Sequence, residues 1–173
     1  ALHGASCGDV IRCDLADPAS IRDACAGLQG RCPRWDALVM CPGTQNPVGP
    51  FLDCRFDEWA ASVEVNFTAQ LRVIHGLLPS RRAGSEPGPC VLLFAGGGTN
   101  SATINYSAYT VSKIALIKMC ELLDAEIPDT RFVIVGPGWV KTTIHEATLK
   151  AGRQAGRNYQ RTIDTIAGSK STP

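Results

Sequence analysis

The stretch CVLLFAGGGTNSATINYSAYTVSKIAL, residues 90–116, passes through three kinds of local order in a short distance. CVLLFA (90–95) is an unbroken apolar run and reads as a buried strand. GGGTNSATIN is a glycine-rich loop, and the chain then becomes helix from about Ser107 to Glu126. Tyr109 and Lys113 stand four apart on that helix, hence on one face and one turn from each other. A cation held there favours the phenolate and is expected to lower the tyrosine's pKa from its ordinary value of about 10. Such a phenol is a usable proton donor and acceptor near neutral pH.

The rest of the chain repeats the strand–loop–helix pattern. DVIRC (9–13) reads as a short strand ending at Asp14. A helix is predicted over 17–30, with Asp17 as cap, Pro18 in the first turn and Gly30 as stop. DALVMC (36–41) is a strand followed by the breaker series PGTQNPVGP. From Asp57 to Leu78, Trp59, Val63, Phe67, Leu71, Ile74 and Leu78 step by three or four, which is helix. RRAGSEPGP (81–89) is a turn-rich connection, and RFVIVG (131–136) is a further strand. The polar segment 143–170 has helical potential, and the tail AGSKSTP reads as frayed.

Apolar strands alternating with helices imply a parallel sheet covered on both faces, with ligands at the carboxyl ends of the strands. Asp14, Gly43, the glycines at 96–98 and Pro137-Gly138 all fall on that rim. The length of 173 residues suits one domain. A net charge of +1 gives no reason to expect nucleic acid or an anionic membrane as partner. No apolar run approaches the roughly 20 residues of a membrane span, and the start lacks the form of a signal peptide. The eight cysteines form no CxxC pair and no set with metal spacing. Cys13, Cys41, Cys90 and Cys120 lie within apolar patterns, so reduced thiols and a cytoplasmic location are expected.

These residues resemble the short-chain dehydrogenase/reductase family from about residue 9 to residue 145. CDLAD (13–17) is similar to the end of the family's third strand, and DALVMCPG (36–43) stands where the family has D-x-L-V-N-N-A-G. FDEWAASVEVNFTAQ (56–70) resembles the helix with the catalytic asparagine, YSAYTVSKIAL the catalytic helix, and GPGWVKT (136–142) the P-G-x-V-x-T segment. The resemblance implies a three-layer, Rossmann-like, doubly wound parallel sheet. It further implies hydride transfer between NAD or NADP and a small-molecule carbonyl or alcohol. Tyr109 would be the acid/base, Lys113 its electrostatic partner and the holder of the ribose hydroxyls, and Asn66 the residue that opens its helix and positions a relay water. Asp14 and Leu15 would meet the adenine, with Gly43, Pro137, Gly138, Val140 and Thr142 also on the cofactor. Gly96, Thr99, Trp139 and His145 would border the substrate. A homodimer or homotetramer is implied through the helices at 57–78 and 107–126, which are apolar nearly all round.

Two departures stand against this pattern. The family's catalytic serine lies 13 positions before the tyrosine, where this chain has Gly96 after Ala95. Losing one such donor costs about 10²–10³ in rate; backbone N–H groups of the glycine run, or the hydroxyls of Thr99 or Ser101, are possible substitutes. The glycine-rich turn that cradles a pyrophosphate at a helix N-terminus is also absent from the sequence. The expectation is therefore a partial domain over 1–173, with the first two strands and the last strand missing and 143–173 as substrate-loop region and tail. It would be an internal fragment or truncated product with impaired cofactor binding. The strand at 9–13 would have no neighbour. The alternatives are an epimerase or dehydratase of the extended branch, and a non-catalytic binding or scaffold protein of the same fold.

Overall fold

The computed structural model describes residues 8 and 10–168. Three parallel strands, β1 (Ala37–Met40), β2 (Cys90–Phe94) and β3 (Arg131–Val135), form one sheet in the order β1-β2-β3. Ala37 is in register with Cys90, and Cys90 with Arg131. Side chains alternate across a strand. Met40, Val91, Leu93 and Phe132 therefore share one face, where they join Ile74, Leu116, Cys120 and Leu123 in the main core.

The helices that supply those partners follow the sequence closely. α1 (Pro18–Arg31) is capped by Asp17, whose side chain accepts from the Ala19 N–H at 2.8 Å. It runs past Gly30, and the Cys32 N–H closes its last turn on the Leu28 carbonyl. The long helix expected over 57–78 is α2 (Phe56–Val63), a π-helical turn (Glu64–Thr68), α3 (Ala69–Leu77) and a 3₁₀ turn ending at Ser80. α4 (Ser107–Glu126) covers the predicted span and stops before Pro128, a residue that disfavours helix in its predecessor. Beyond β3 the chain is more ordered than its polarity suggests, with α5 (Glu146–Ala151) and α6 (Arg157–Ala167). The predicted tail is helical to Ala167, and residues 169–173 lie outside the described residues.

One expected strand is not there. Asp9 lies outside the described residues, and residues 10–13 have no regular structure. Ile11 instead reaches α1, where its Cδ1 stands 3.8 Å from the position of a Cβ on Gly27. A strand needs a partner for its N–H and C=O groups, and none of the described residues offers one. The sheet is thus an incomplete doubly wound α/β arrangement. Among the described residues its helix-free face leaves Val39 52% and Val135 39% exposed. The thiols also differ from expectation. Cys120 is buried and Cys90 partly so, whereas Cys13 and Cys41 are exposed, because 10–13 does not enter the sheet and Cys41 lies just past β1.

Leu116 is fully buried between α4 and the sheet, whereas Leu52 is 92% exposed. Leu116→Ala is expected to lower unfolding free energy by about 2–5 kcal/mol, and Leu52→Ala to stay within about 0.5 kcal/mol. Urea midpoints of the two variants check this; equal shifts would contradict the assigned core.

Candidate active site

β2 ends at Phe94, and the last carbonyls of a parallel strand point out of the sheet at its rim. Lys113, in the second turn of α4 and 4% exposed, donates from Nζ to the Phe94 carbonyl at 3.0 Å. The same Nζ lies 5.8 Å from the centroid of the Tyr109 ring. The spacing of four thus does bring phenol and ammonium to one place, the carboxyl end of the sheet. There they border a cavity of about 760 Å³ together with Gly43, Gly96 and Pro137 from the loops after β1, β2 and β3.

Burial sets the electrostatics. It pushes the Tyr109 phenol above the ordinary tyrosine value, and it pushes the Lys113 ammonium below the ordinary lysine value, with the nearby Cys41 opposing the second effect. The lowered tyrosine expected from the sequence is not found. The ammonium is bound to the Phe94 carbonyl and shares no hydrogen bond with the phenol, so desolvation of the phenolate outweighs its attraction.

Beneath the rim, the π-helical turn decides where Asn66 points. The Ala69 N–H bonds to the Glu64 carbonyl, one residue further back than in an α-helix. That extra residue turns Asn66, fully buried, toward the loop after β1. Its Oδ1 accepts from the Thr44 N–H at 2.8 Å, and its Nδ2 donates to the Thr44 carbonyl at 2.8 Å and to Ser62 Oγ at 3.1 Å. Its backbone carbonyl accepts from Gln70 Nε2 at 2.7 Å. Asn66 therefore replaces a neighbouring strand for Thr44 and anchors Gly43 beside the ammonium. A Cβ on Gly43 would lie 3.8 Å from Lys113 Nζ, an ordinary contact, so a larger side chain there would cover the ammonium rather than strain the backbone.

The other sequence-derived candidates divide in two. Pro137, Gly138, Val140 and Thr142 border the cavity, as do Trp139 and His145. The Trp139 and His145 rings stack with centroids 4.4 Å apart, and His145 Nε2 is 2.9 Å from the Val140 carbonyl oxygen. Asp14, Leu15 and Thr99 do not border it. Asp14 is exposed and its carboxylate accepts from the Ala16 N–H at 2.9 Å, a turn leading into α1, while Leu15 packs near Ile21. Gly96 lies hard against the site, since a Cβ there would stand 2.7 Å from Tyr109 Oη and 2.8 Å from Lys113 Cγ.

One polar wall of the cavity has no counterpart among the residues expected from the sequence. Tyr106, 3% exposed, shares a 2.8 Å hydrogen bond with Thr148 Oγ1, which donates to Gln45 Oε1 at 2.9 Å. All three border the cavity, as do Arg161 and Thr162 of α6. Gln45 stands in a segment read as an irregular loop, and Tyr106 at the junction of the glycine-rich loop with the helix, where no periodicity marks a side chain. α6 did leave a signal, because Tyr159, Thr162, Ile163 and Ile166 step by three and four.

A parallel sheet with helices packed against it, and a cavity among the loops at its carboxyl rim, is the arrangement of a doubly wound α/β domain. The comparisons with known proteins agree. The sequence profile of the family described as enoyl-(acyl carrier protein) reductase matches residues 1–167. The chain is 30% identical over 128 residues to a 3-ketodihydrosphingosine reductase of Candida glabrata, an alignment covering 74% of this chain and 34% of that protein. It is 26% identical over 151 residues to a short chain dehydrogenase/reductase of Colletotrichum higginsianum, covering 85% of this chain and 56% of that one. The solved structure of the enzyme KRED1-Pglu superposes with a TM-score of 0.81 at 23% identity, covering 93% of this chain and 67% of that one. The chain belongs to the short-chain dehydrogenase/reductase family. It spans about a third to a little over half of the length of these two curated relatives.

Burial raises the phenols of both Tyr106 and Tyr109. Their folded-state values lie above the unfolded one, so their contribution to stability is complete below about pH 10 and is lost as pH rises through the folded values. Tyrosinate absorbance titrations of the native chain and of Tyr109→Phe are expected to differ by a step above pH 10; a step below it would contradict the geometry.

Proposed function

We propose that these residues form the catalytic part of an NAD(P)-dependent oxidoreductase acting between a carbonyl compound and the corresponding alcohol. The observation that carries the reading is the Lys113 ammonium. It is 4% exposed, borders a cavity and has one protein partner, the Phe94 carbonyl, among the described residues. An ammonium has three donors, so two face a cavity suited to vicinal hydroxyls such as those of a ribose.

A bound reduced nicotinamide supplies a hydride to the carbonyl carbon. Tyr109 gives its proton to the carbonyl oxygen as the C=O π bond becomes a C–H and an O–H bond. Lys113 fixes the ribose hydroxyls and, as a cation, offsets the charge left on the phenolate. With a ligand excluding water, that cation acts in a lower dielectric and opposes the burial that holds the phenol protonated. Asn66 holds the Thr44 loop, and with it Gly43, beside the ammonium, where the absence of a side chain leaves the cation open to a ligand. Pro137, Gly138, Val140 and Thr142 flank the nicotinamide, and Gly96, Trp139 and His145 the reacting group. Asp14 and Leu15, outside the cavity, remain the proposed contacts of the adenine end.

Val111, Ile114 and Leu122, each 43–46% exposed on α4, support a homodimer or homotetramer packed through that helix. The seven cysteines among the described residues, all free thiols, support a cytoplasmic location.

A catalytically silent member is the second reading, favoured by Gly96 and by the full engagement of the Asn66 amide. Turnover separates the two. In the full-length protein, Tyr109→Phe is expected to lower ketone reduction by about 10²–10⁴ while cofactor affinity is retained. Cofactor binding with no turnover by the native protein would favour the silent member.

A further inference from the structure

Position 96 is where the family resemblance places a serine hydroxyl, and here it is glycine. The structure shows why a hydroxyl cannot simply be returned there. A Cβ at 96 would lie 2.7 Å from Tyr109 Oη, 2.8 Å from Tyr109 Cε1 and 2.8 Å from Lys113 Cγ. The phenol itself occupies the space. A side-chain hydroxyl that polarises the substrate oxygen therefore has to come from another residue.

The next tight approach on the same loop brings one. Gly98 has φ of 88°, in the region that favours glycine, and Thr103 Oγ1 lies 2.1 Å from where its Cβ would be. The loop doubles back so that the Thr103 hydroxyl rests on the bare α-carbon of Gly98. The turn is closed by the Tyr106 N–H bonding to the Thr103 carbonyl at 3.4 Å, just before α4 begins. Thr103 borders the cavity, is half-buried, and its hydroxyl has no hydrogen-bond partner among the described residues. The other hydroxyls of the neighbourhood are differently placed. Thr99 does not border the cavity, Ser101 and Thr142 border it but are exposed, Thr162 borders it from α6 rather than from the loop after β2, and those of Tyr106 and Thr148 are bonded to each other.

We propose that Thr103 is a catalytic residue, supplying the hydroxyl that Gly96 lacks, and that Gly98 is the positioning residue that lets it reach the site. The proposal rests on the oxidoreductase reading. During reduction the Thr103 O–H donates to the carbonyl oxygen and keeps its own proton. The two electrons come from the reduced nicotinamide as hydride, and the proton that ends on the oxygen comes from Tyr109. Thr103 thus stabilises charge that develops on the oxygen before proton transfer is complete.

The test uses the full-length protein with NADH or NADPH and a panel of aliphatic and aryl ketones. Thr103→Val, which keeps the shape and removes the hydroxyl, is expected to lower kcat by about 10²–10³ with the KM for cofactor unchanged. Thr103→Ser is expected to stay close to native, and Gly98→Ala to mimic Thr103→Val because its methyl group displaces the hydroxyl. A second readout is independent of turnover. In Tyr109→Phe protein saturated with reduced cofactor, the infrared C=O stretch of bound acetophenone should rise when Thr103→Val is added, because a hydrogen bond is lost. Native rates and an unshifted stretch in Thr103→Val, with Tyr109→Phe inactive, would overturn this assignment and leave the oxidoreductase reading standing. Loss of activity in Ser101→Ala with Thr103→Val unaffected would overturn it likewise. No oxidation of either cofactor with any ketone by the native protein would overturn the parent reading and this one with it.

Discussion

The Lys113 ammonium is the constraint around which the site is arranged. Taking a cation out of water costs several kcal/mol, and a single backbone carbonyl, that of Phe94 at 3.0 Å, compensates only part of it. Its pKa is accordingly pushed down. The chain accepts that cost at the one place where strand carbonyls leave the sheet and three loops turn away from it. Gly43 and Gly96 bring backbone rather than side chain against the lysine. Tyr109, one helical turn earlier, shares the cavity because the helix geometry leaves it no other direction. A buried cation whose one hydrogen-bond partner among the described residues is a backbone carbonyl is a poor structural element.

Asn66 contributes in a different way. The π-helical turn sacrifices regular α-helical bonding over Glu64–Thr68 to aim one amide at Thr44. The paired bonds to a single residue's N–H and C=O reproduce what an adjacent strand would offer. The rim therefore stays ordered at the point where β1 has ended. This is a structural task, and it is compatible with turnover or with silence.

Much of this architecture was legible in the residues. α4 spans the residues expected of it, and the three observed strands coincide with uninterrupted apolar runs. The pairing of Tyr109 with Lys113 followed from the 3.6-residue turn alone. The errors have physical sources. DVIRC has the composition of a strand, yet strand formation is decided by a partner that the local sequence cannot report. The sign of the Tyr109 shift depended on burial, which outweighed the neighbouring charge. The wall formed by Gln45, Tyr106 and Thr148 joins residues 42 and 103 positions apart, so no local pattern contains it. The seat of Thr103 on Gly98 is likewise a property of the folded loop.

The account turns on whether the ammonium is there to hold a nicotinamide ribose. Charge-assisted hydrogen bonds contribute about 1.5–3 kcal/mol each, so losing them should weaken binding by at least about tenfold. Fluorescence titration of NADH and NADPH into full-length protein and into Lys113→Met is the direct measurement. The account predicts saturable enhancement with the native protein and a loss of at least that size in the variant. Equal affinities, with both proteins folded, would contradict it.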